Sequence, residues 1–428
     1  MKAAEARDVG RAAGTTLRQA TRTVRGVHGM VSDAAYAAVT AALGPGVTQP
    51  IKTANDLVTA VTYGATGMGL DAASRIAGFA TSLRLAHTGD RGPSVHDGRG
   101  AHRALAASVG LRGDAFAVSA PSLAPEMQVR AGQQRIELTR EGLAHAYPDA
   151  GPDIAVYLHG LCQSERSWSL GAGDSPTHPE RLAADLGLSP VLIRYNTGLR
   201  VSHNGAHLAD LLDVLIEAWP VQVRRLVLVG FSMGGLVVHS ALVAPAPAHG
   251  ERTWTNLVSD TVTIGTPHHG SPMARGAQLA VERLSRDANG RRAIDLVRQR
   301  SAGIKDLTHG NVTDADWCGH DPDDGDDHRT HPAVPDGIRH HAIVGVISGH
   351  VDGAVARRVG DLLVPPRSAA HEALDAIPSR FLRERTAVVT GVHHLGMLSS
   401  SGVQDHLHRF LSPTAQPALT RAGRTGTN

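Results

Sequence analysis

Leu226-Val227-Leu228-Val229-Gly230-Phe231-Ser232-Met233-Gly234-Gly235-Leu236-Val237-Val238 is the stretch that decides the fold. Its first four residues have the apolar, β-branched character of a buried strand, and its last three resume an apolar run after a pair of glycines. Between them lies Gly-x-Ser-x-Gly, which in this context marks a sharp turn from strand to helix. Glycines on either side relieve crowding where strained backbone must push one hydroxyl outward. Ser232 is therefore the candidate nucleophile.

Working outward, the buried-strand candidates are Ile154 to Leu158, Val191 to Tyr195, Leu226 to Val229, Thr261 to Ile264, His341 to Ile347 and Thr386 to Thr390. Most are separated by helical patterns, so the sheet is expected to be mainly parallel and covered by helices. Upstream, Met127 and Val129 alternate with Ile136 and Leu138 around Ala131-Gly132, a hairpin signal that opens the sheet. The clearest helix is predicted over Asn204 to Trp219, where Leu208, Leu211, Leu212, Leu215 and Ile216 keep helical spacing, Asn204 caps the start and Pro220 ends it. Residues 271–335 hold no strand pattern between two core strands and are expected to form a cap or lid above the carboxyl edge of the sheet.

A serine hydroxyl is a poor nucleophile at neutral pH, so Ser232 needs an imidazole to take its proton and a carboxylate to orient that imidazole. On a sheet of this kind they follow in the order acid, then histidine, each on a loop after a later strand. The loop after His341 to Ile347 offers Asp352 and Asp361; the loop after Thr386 to Thr390 offers His393 and His394. Charge developing on the attacked carbonyl needs rigid donors, and the backbone amides of Met233 and Leu161 are the candidates. Leu161 belongs to His159-Gly160-Leu161, at the end of the first parallel strand. His159, Gly160, His268 and His269 are placed as pocket-lining candidates, without a part in proton transfer. Cys162 reads as a small buried residue rather than a second nucleophile.

These motifs together resemble the serine esterases and lipases of the α/β-hydrolase fold, in particular bacterial lipases with a His-Gly-x oxyanion segment. The resemblance covers about Val118 to Phe410. It rests on His159-Gly160-Leu161, Gly230-Phe231-Ser232-Met233-Gly234, Gly265-Thr266-Pro267-His268-His269-Gly270, Gly360-Asp361-Leu362-Leu363-Val364-Pro365 and His394-Leu395-Gly396-Met397-Leu398. In such enzymes the acid precedes a hydrophobic-Val-Pro step and the base precedes a hydrophobic-Gly-x-Leu run, which selects Asp361 and His394. The resemblance implies cleavage of carboxylic esters of lipids or other apolar acyl groups through an acyl-enzyme, with no metal or organic cofactor. Acyl transfer, thioester hydrolysis, and a non-catalytic membrane-associated scaffold of the same fold are the other readings.

The 428 residues carry a formal net charge of +2, which gives no global field for nucleic acid. From Lys2 to about Leu85 the pattern is helical and lies outside the resemblance. There Ala13, Leu17, Ala20, Val24, Val27 and Val31 oppose Arg7, Arg11, Arg18, Arg22 and Arg25, a basic amphipathic helix expected to pack on the protein, with peripheral contact to an anionic membrane as the other reading. A second apolar stripe runs between Asn55 and Leu85. A linker from His87 to Gly100 divides an N-terminal segment, residues 1–100, from a catalytic domain, residues 101–428. No signal-like core and no run of roughly 20 apolar residues is present, so the expected compartment is the cytoplasm. Cys162 and Cys318 are expected to be reduced thiols, with a single bridge between them as the other reading. The carboxylate-rich loop from Asp321 to Asp327 is expected to be a solvated surface rather than a calcium site, because its spacing departs from that of an EF-hand.

Overall fold

The computed structural model describes residues 101–132, 134–246, 250–271, 300–320, 326–349, 359–371 and 385–413, with single residues 5, 94, 96 and 274. The N-terminal amphipathic helix, the stripe from Asn55 to Leu85, nearly all of the linker, most of residues 272–299, Asp352 and residues 321–325 of the acidic loop lie outside the described residues. Elements are numbered over what is described.

At one edge of the sheet, β1 (Gln128–Ala131) and β2 (Gln134–Arg135) form the expected antiparallel hairpin. Then come β3 (Asp153–Leu158), β4 (Ser189–Arg194), β5 (Arg225–Phe231), β6 (Val258–Ile264), β7 (Arg339–Val346) and β8 (Thr386–Thr390). The order is β2-β1-β4-β3-β5-β6-β7-β8, and every pairing from β4 to β8 is parallel. Each sequence-predicted strand is present.

Parallel strands buried on both faces show continuous apolar sequence, and the alternation decides which helix each side chain meets. Ile154, Val156 and Leu158 of β3, with Leu226 and Leu228 of β5, enter one core with Leu208 and Leu212 of α4 (Val201–Ala218) and Leu236 and Val237 of α5 (Met233–Val243). Their neighbours Ala155, Tyr157, Val227 and Val229 enter the other core, with Leu182 of α3 (His178–Leu186) and Val403 and Leu407 of α8 (Ser401–Leu411). Fully burying one such leucine contributes about 2 kcal/mol. The remaining helices are α1 (Ala101–Ser119), α2 (Arg140–Ala146), and two short ones, α6 (Ala302–Asp306) and α7 (Pro366–Ala369).

Helix α4 starts three residues before the predicted Asn204, and Asn204 does not cap it. Its amide instead donates to the Asn196 carbonyl at 2.9 Å from inside the helix. The cap arrives from elsewhere: buried Asp306, at the end of α6, accepts from the Val201 N–H at 2.8 Å and pairs with Arg200 at 2.7 Å. Burial pushes the Asp306 carboxyl up to about 6, against the opposing pull of Arg200 and its hydrogen bonds. Local propensity could not show a cap supplied about a hundred residues downstream.

At the amino ends of the central strands, Asp260 accepts from Arg339 at 2.7 Å through both oxygens, from Arg225 at 2.9 Å and from Ser259 at 2.7 Å, and lies 3.0 Å from His341 Nε2. Burial alone would raise its pKa, but hydrogen bonds from His341, Arg339 and Ser259 outweigh burial and hold the carboxyl well below the usual range. Asp260→Asn is expected to lose about 3 kcal/mol of stability at pH 7, since it strands buried cations. A depressed carboxylate stabilises the fold above its unfolded pKa of about 3.9 and loses that contribution as pH falls toward its folded value. Denaturant titrations from pH 7 to pH 3 should therefore show the gap between wild type and Asp260→Asn narrowing below about pH 4. A constant gap would overturn this account.

Candidate active site

Ser232 sits between β5 and α5 with φ 54° and ψ −124°, a left-handed region that few non-glycine residues occupy. Two close approaches hold it there. A Cβ at Gly230 would lie 2.6 Å from the Gly234 carbonyl carbon, and one at Gly234 would lie 2.5 Å from the Leu158 carbonyl oxygen. The glycines of the motif thus let α5 rise directly off the sheet and let β3 pass beneath it. The Ser232 N–H donates to the Ile264 carbonyl at 2.8 Å, tying the turn to the end of β6. The side chain is half-buried at the carboxyl edge, while Phe231 and Met233 beside it are buried.

Asp361 and His394 meet although 33 residues separate them. His394 Nδ1 donates to Asp361 Oδ2 at 2.6 Å, and the His394 backbone N–H donates to the Asp361 carbonyl at 2.9 Å. The second oxygen, Oδ1, accepts from the Leu363 and Val364 amides at 3.0 and 2.9 Å. Leu362, at φ 86°, makes the tight turn that aims those amides back at the carboxylate. Both side chains are buried. His393, the other histidine of this loop, is exposed and uses Nδ1 to accept from the Gly396 N–H at 3.2 Å, a turn cap.

The pair converges on the elbow. Gly265, the residue after Ile264, has φ 57°, and a Cβ there would lie 3.1 Å from Asp361 Oδ2 and from His394 Cε1, so glycine both takes the turn without strain and leaves room for the imidazole against this backbone. The His394 ring packs on Phe231 with centroids 4.9 Å apart. Ser232 is thus one peptide from Gly265 through its own hydrogen bond and one residue from the ring's packing partner. Among the described residues its hydroxyl makes no hydrogen bond, and catalytic contacts of this kind commonly close only when substrate is bound.

On the other side of the elbow lies the loop after β3. A Cβ at Gly160 would stand 3.0 Å from Ser232 Cβ, which places the loop directly against Ser232. The Gly160 N–H donates to Gln163 Oε1 at 2.9 Å. Among the described residues the Leu161 and Met233 N–H groups have no acceptor.

The three histidines expected to line the pocket are all buried. His159 is fully buried, its Nδ1 3.0 Å from the Gly160 carbonyl and its ring stacked on Tyr195 at 4.4 Å. The Tyr195 hydroxyl donates to the His159 carbonyl at 2.6 Å. Burial pulls the His159 pKa down to about 4, so at neutral pH it is an uncharged peg beneath the loop. His268 and His269 are also buried, packed edge-on and tilted against His371 at 5.2 and 4.8 Å. The Gly265-Thr266-Pro267 run, which singled out this loop, serves the close approach at Gly265.

Cys162 and Cys318 are both free, and burial pushes the Cys162 thiol up to about 12, which leaves it protonated and unreactive. Of the acidic loop, Asp327 is engaged by Arg329 at 2.6 and 2.8 Å. Among the described residues no helix is long and apolar enough to cross a membrane.

A mainly parallel sheet with the serine elbow after β5, the acid after β7 and the histidine after β8 defines the α/β-hydrolase fold. Residues 206–317, from α4 through the elbow into the insertion, match the family described as the PGAP1-like alpha/beta domain. No curated protein sequence matches the chain. Similar solved structures include the mature lipase BlEst2 of Bacillus licheniformis, at 19% identity over 60% of this chain and 91% of that one, TM-score 0.38. A thermophilic esterase from Thermogutta terrifontis is 15% identical over 60% and 89%, TM-score 0.32. Phospholipase PlaB from Legionella pneumophila is 15% identical over 61% and 56%, TM-score 0.35. None of their activities transfers to this chain at such scores.

Proposed function

We propose that the protein is a serine hydrolase of carboxylic esters, with Ser232 as nucleophile, His394 as general base and acid, and Asp361 as the group that orients His394. The observation that carries this reading is the 2.6 Å Asp361–His394 hydrogen bond laid over Gly265, one peptide from a strained Ser232. With Nδ1 donating to Asp361, the neutral ring carries its lone pair on Nε2, the atom that accepts the serine proton.

Ser232 Oγ bonds to the ester carbonyl carbon as its proton passes to His394, and the Leu161 and Met233 amides stabilise the oxyanion. The ester C–O bond then breaks, the alcohol leaves with the proton from His394, and the acyl group stays on Ser232. Water, deprotonated by His394, releases the carboxylic acid and restores the serine. One oxyanion donor is worth about 3 kcal/mol of transition-state stabilisation. An apolar acyl group is the substrate we assign, because the half-buried Leu161 supplies an apolar side chain at one donor and Leu395, next to the base, is exposed.

The test is covalent labelling with a fluorophosphonate, followed by hydrolysis of nitrophenyl esters of increasing chain length. The expected results are a single adduct on Ser232 and a rate that rises with acyl length before levelling. Folded protein that takes no label would favour a non-catalytic scaffold, and a preference for charged, water-soluble acyl groups would remove the apolar assignment.

A further inference from the structure

Helix α1 precedes the hydrolase motifs, and its midpoint is built for close contact with the loops around Ser232. At Arg112 the backbone leaves helical geometry, with φ −142° and ψ 18°, so the helix is kinked. Carbonyls near the kink bond to other parts of the chain: Gly110 accepts from Ser301 Oγ at 2.6 Å, and Gly113 accepts from Asn196 Nδ2 at 2.9 Å. Asp114, one residue on, accepts from the Ala302 N–H at 3.0 Å at the start of α6. The kink therefore joins the insertion to the loop after β4.

It also presses on the oxyanion loop. A Cβ at Gly110 would overlap Cys162 Sγ and lie 2.8 Å from the Cys162 nitrogen and 2.9 Å from its Cα. Cys162 itself is held at φ 61°, and its N–H donates to Thr197 Oγ1 at 3.3 Å. Thr197 is buried, and Gly198 after it passes so close beneath α1 that a Cβ there would stand 2.5 Å from the Gly113 nitrogen. Cys162 directly follows Leu161. The α1 backbone at Gly110 and the Thr197 hydroxyl thus grip the residue that ends the donor loop, and Gly198 packs the Thr197 turn onto α1.

The geometry points to Gly110 and Thr197 as positioning residues that fix the Leu161 amide for the transition state. This inference rests on the ester-hydrolase reading, in which Leu161 is an oxyanion donor. Neither residue reaches the reacting atoms. Each acts by holding Cys162, so the loss on disturbing them falls on transition-state binding rather than on substrate capture. Misplacement of a catalytic group by about 1 Å costs on the order of 10²-fold in rate.

The experiment uses the full chain and compares Gly110→Ala, Thr197→Val and the exposed-site control Ser119→Ala. Each is assayed for kcat and KM on one nitrophenyl ester and for Ki of a trifluoromethyl ketone, which forms a tetrahedral adduct. For the first two variants kcat should fall ~10- to 100-fold with KM within about threefold, and Ki should rise in step with the loss in kcat/KM. Ser119→Ala should match wild type. A folded Gly110→Ala or Thr197→Val whose kcat stays within about twofold, or whose Ki is unmoved while kcat drops, overturns the inference. If Gly110→Ala does not fold, Thr197→Val decides alone, since it removes only the acceptor for the Cys162 amide. Wild-type turnover that survives Ser232→Ala would instead bring down the hydrolase reading itself.

Discussion

Ser232→Ala should lower kcat for ester hydrolysis by ~10⁶-fold while leaving the fold intact, because no other described nucleophile stands beside the imidazole. Cys162, the nearest thiol in sequence, is protonated and directed at the Ala107 carbonyl of α1, 3.7 Å away, so it cannot substitute. The strained backbone makes a second, independent result available. At φ 54° a residue with a Cβ costs about 1–3 kcal/mol, which Ser232→Gly would relieve against a smaller entropic loss. The glycine variant should therefore be inactive yet about 1 kcal/mol more stable than the alanine variant in urea titrations. Measured turnover within a hundredfold of wild type in Ser232→Ala would remove the nucleophile from the mechanism. Equal stability of the two variants would mean that the elbow stores no strain.

Much of this site is legible in the sequence because its geometry is local. Gly230 and Gly234 flank Ser232, and a strand must end and a helix begin within that short run. Asp361 and His394 are legible for a different reason: strand order narrows each to a pair of candidates on one loop, and the resemblance of the runs around them to those of α/β-hydrolase esterases selects between the two, while the turn that returns the Leu363 and Val364 amides to the carboxylate is visible only in the structure. What could not be read depends on contacts remote in sequence. Asn204 has the chemistry of a helix cap, yet Asp306 fills that place and leaves Asn204 to bind Asn196. His159 carries a titratable ring beside Gly160 and Leu161, but stacking on Tyr195 turns it into a buried support. Gly110 and Gly113 lie in a helix that the sequence reading does not single out. Their value is apparent only once Cys162 and Asn196 lie against them.

Asp361→Asn should cost ~10⁴-fold in kcat with little change in stability, and the reason lies in the two amides that hold the carboxylate. Leu363 and Val364 both donate to Oδ1, so an asparagine at this position must place its oxygen there to keep those bonds. Its NH2 group then faces His394 Nδ1 in place of Oδ2. Nδ1 must become the acceptor, which moves the ring proton to Nε2, and an Nε2–H cannot take the proton of Ser232. The opposite flip would restore the histidine but set two N–H donors against an NH2, leaving buried donors unpaired at a cost of about 1–3 kcal/mol each. The nearly isosteric replacement is therefore expected to be folded, labelled by fluorophosphonate far more slowly than wild type, and altered in its histidine tautomer. Nitrogen chemical shifts of His394 read that tautomer directly. Asp361→Asn turning over within about tenfold of wild type, with Nδ1 still protonated, would mean that the carboxylate does not orient the base.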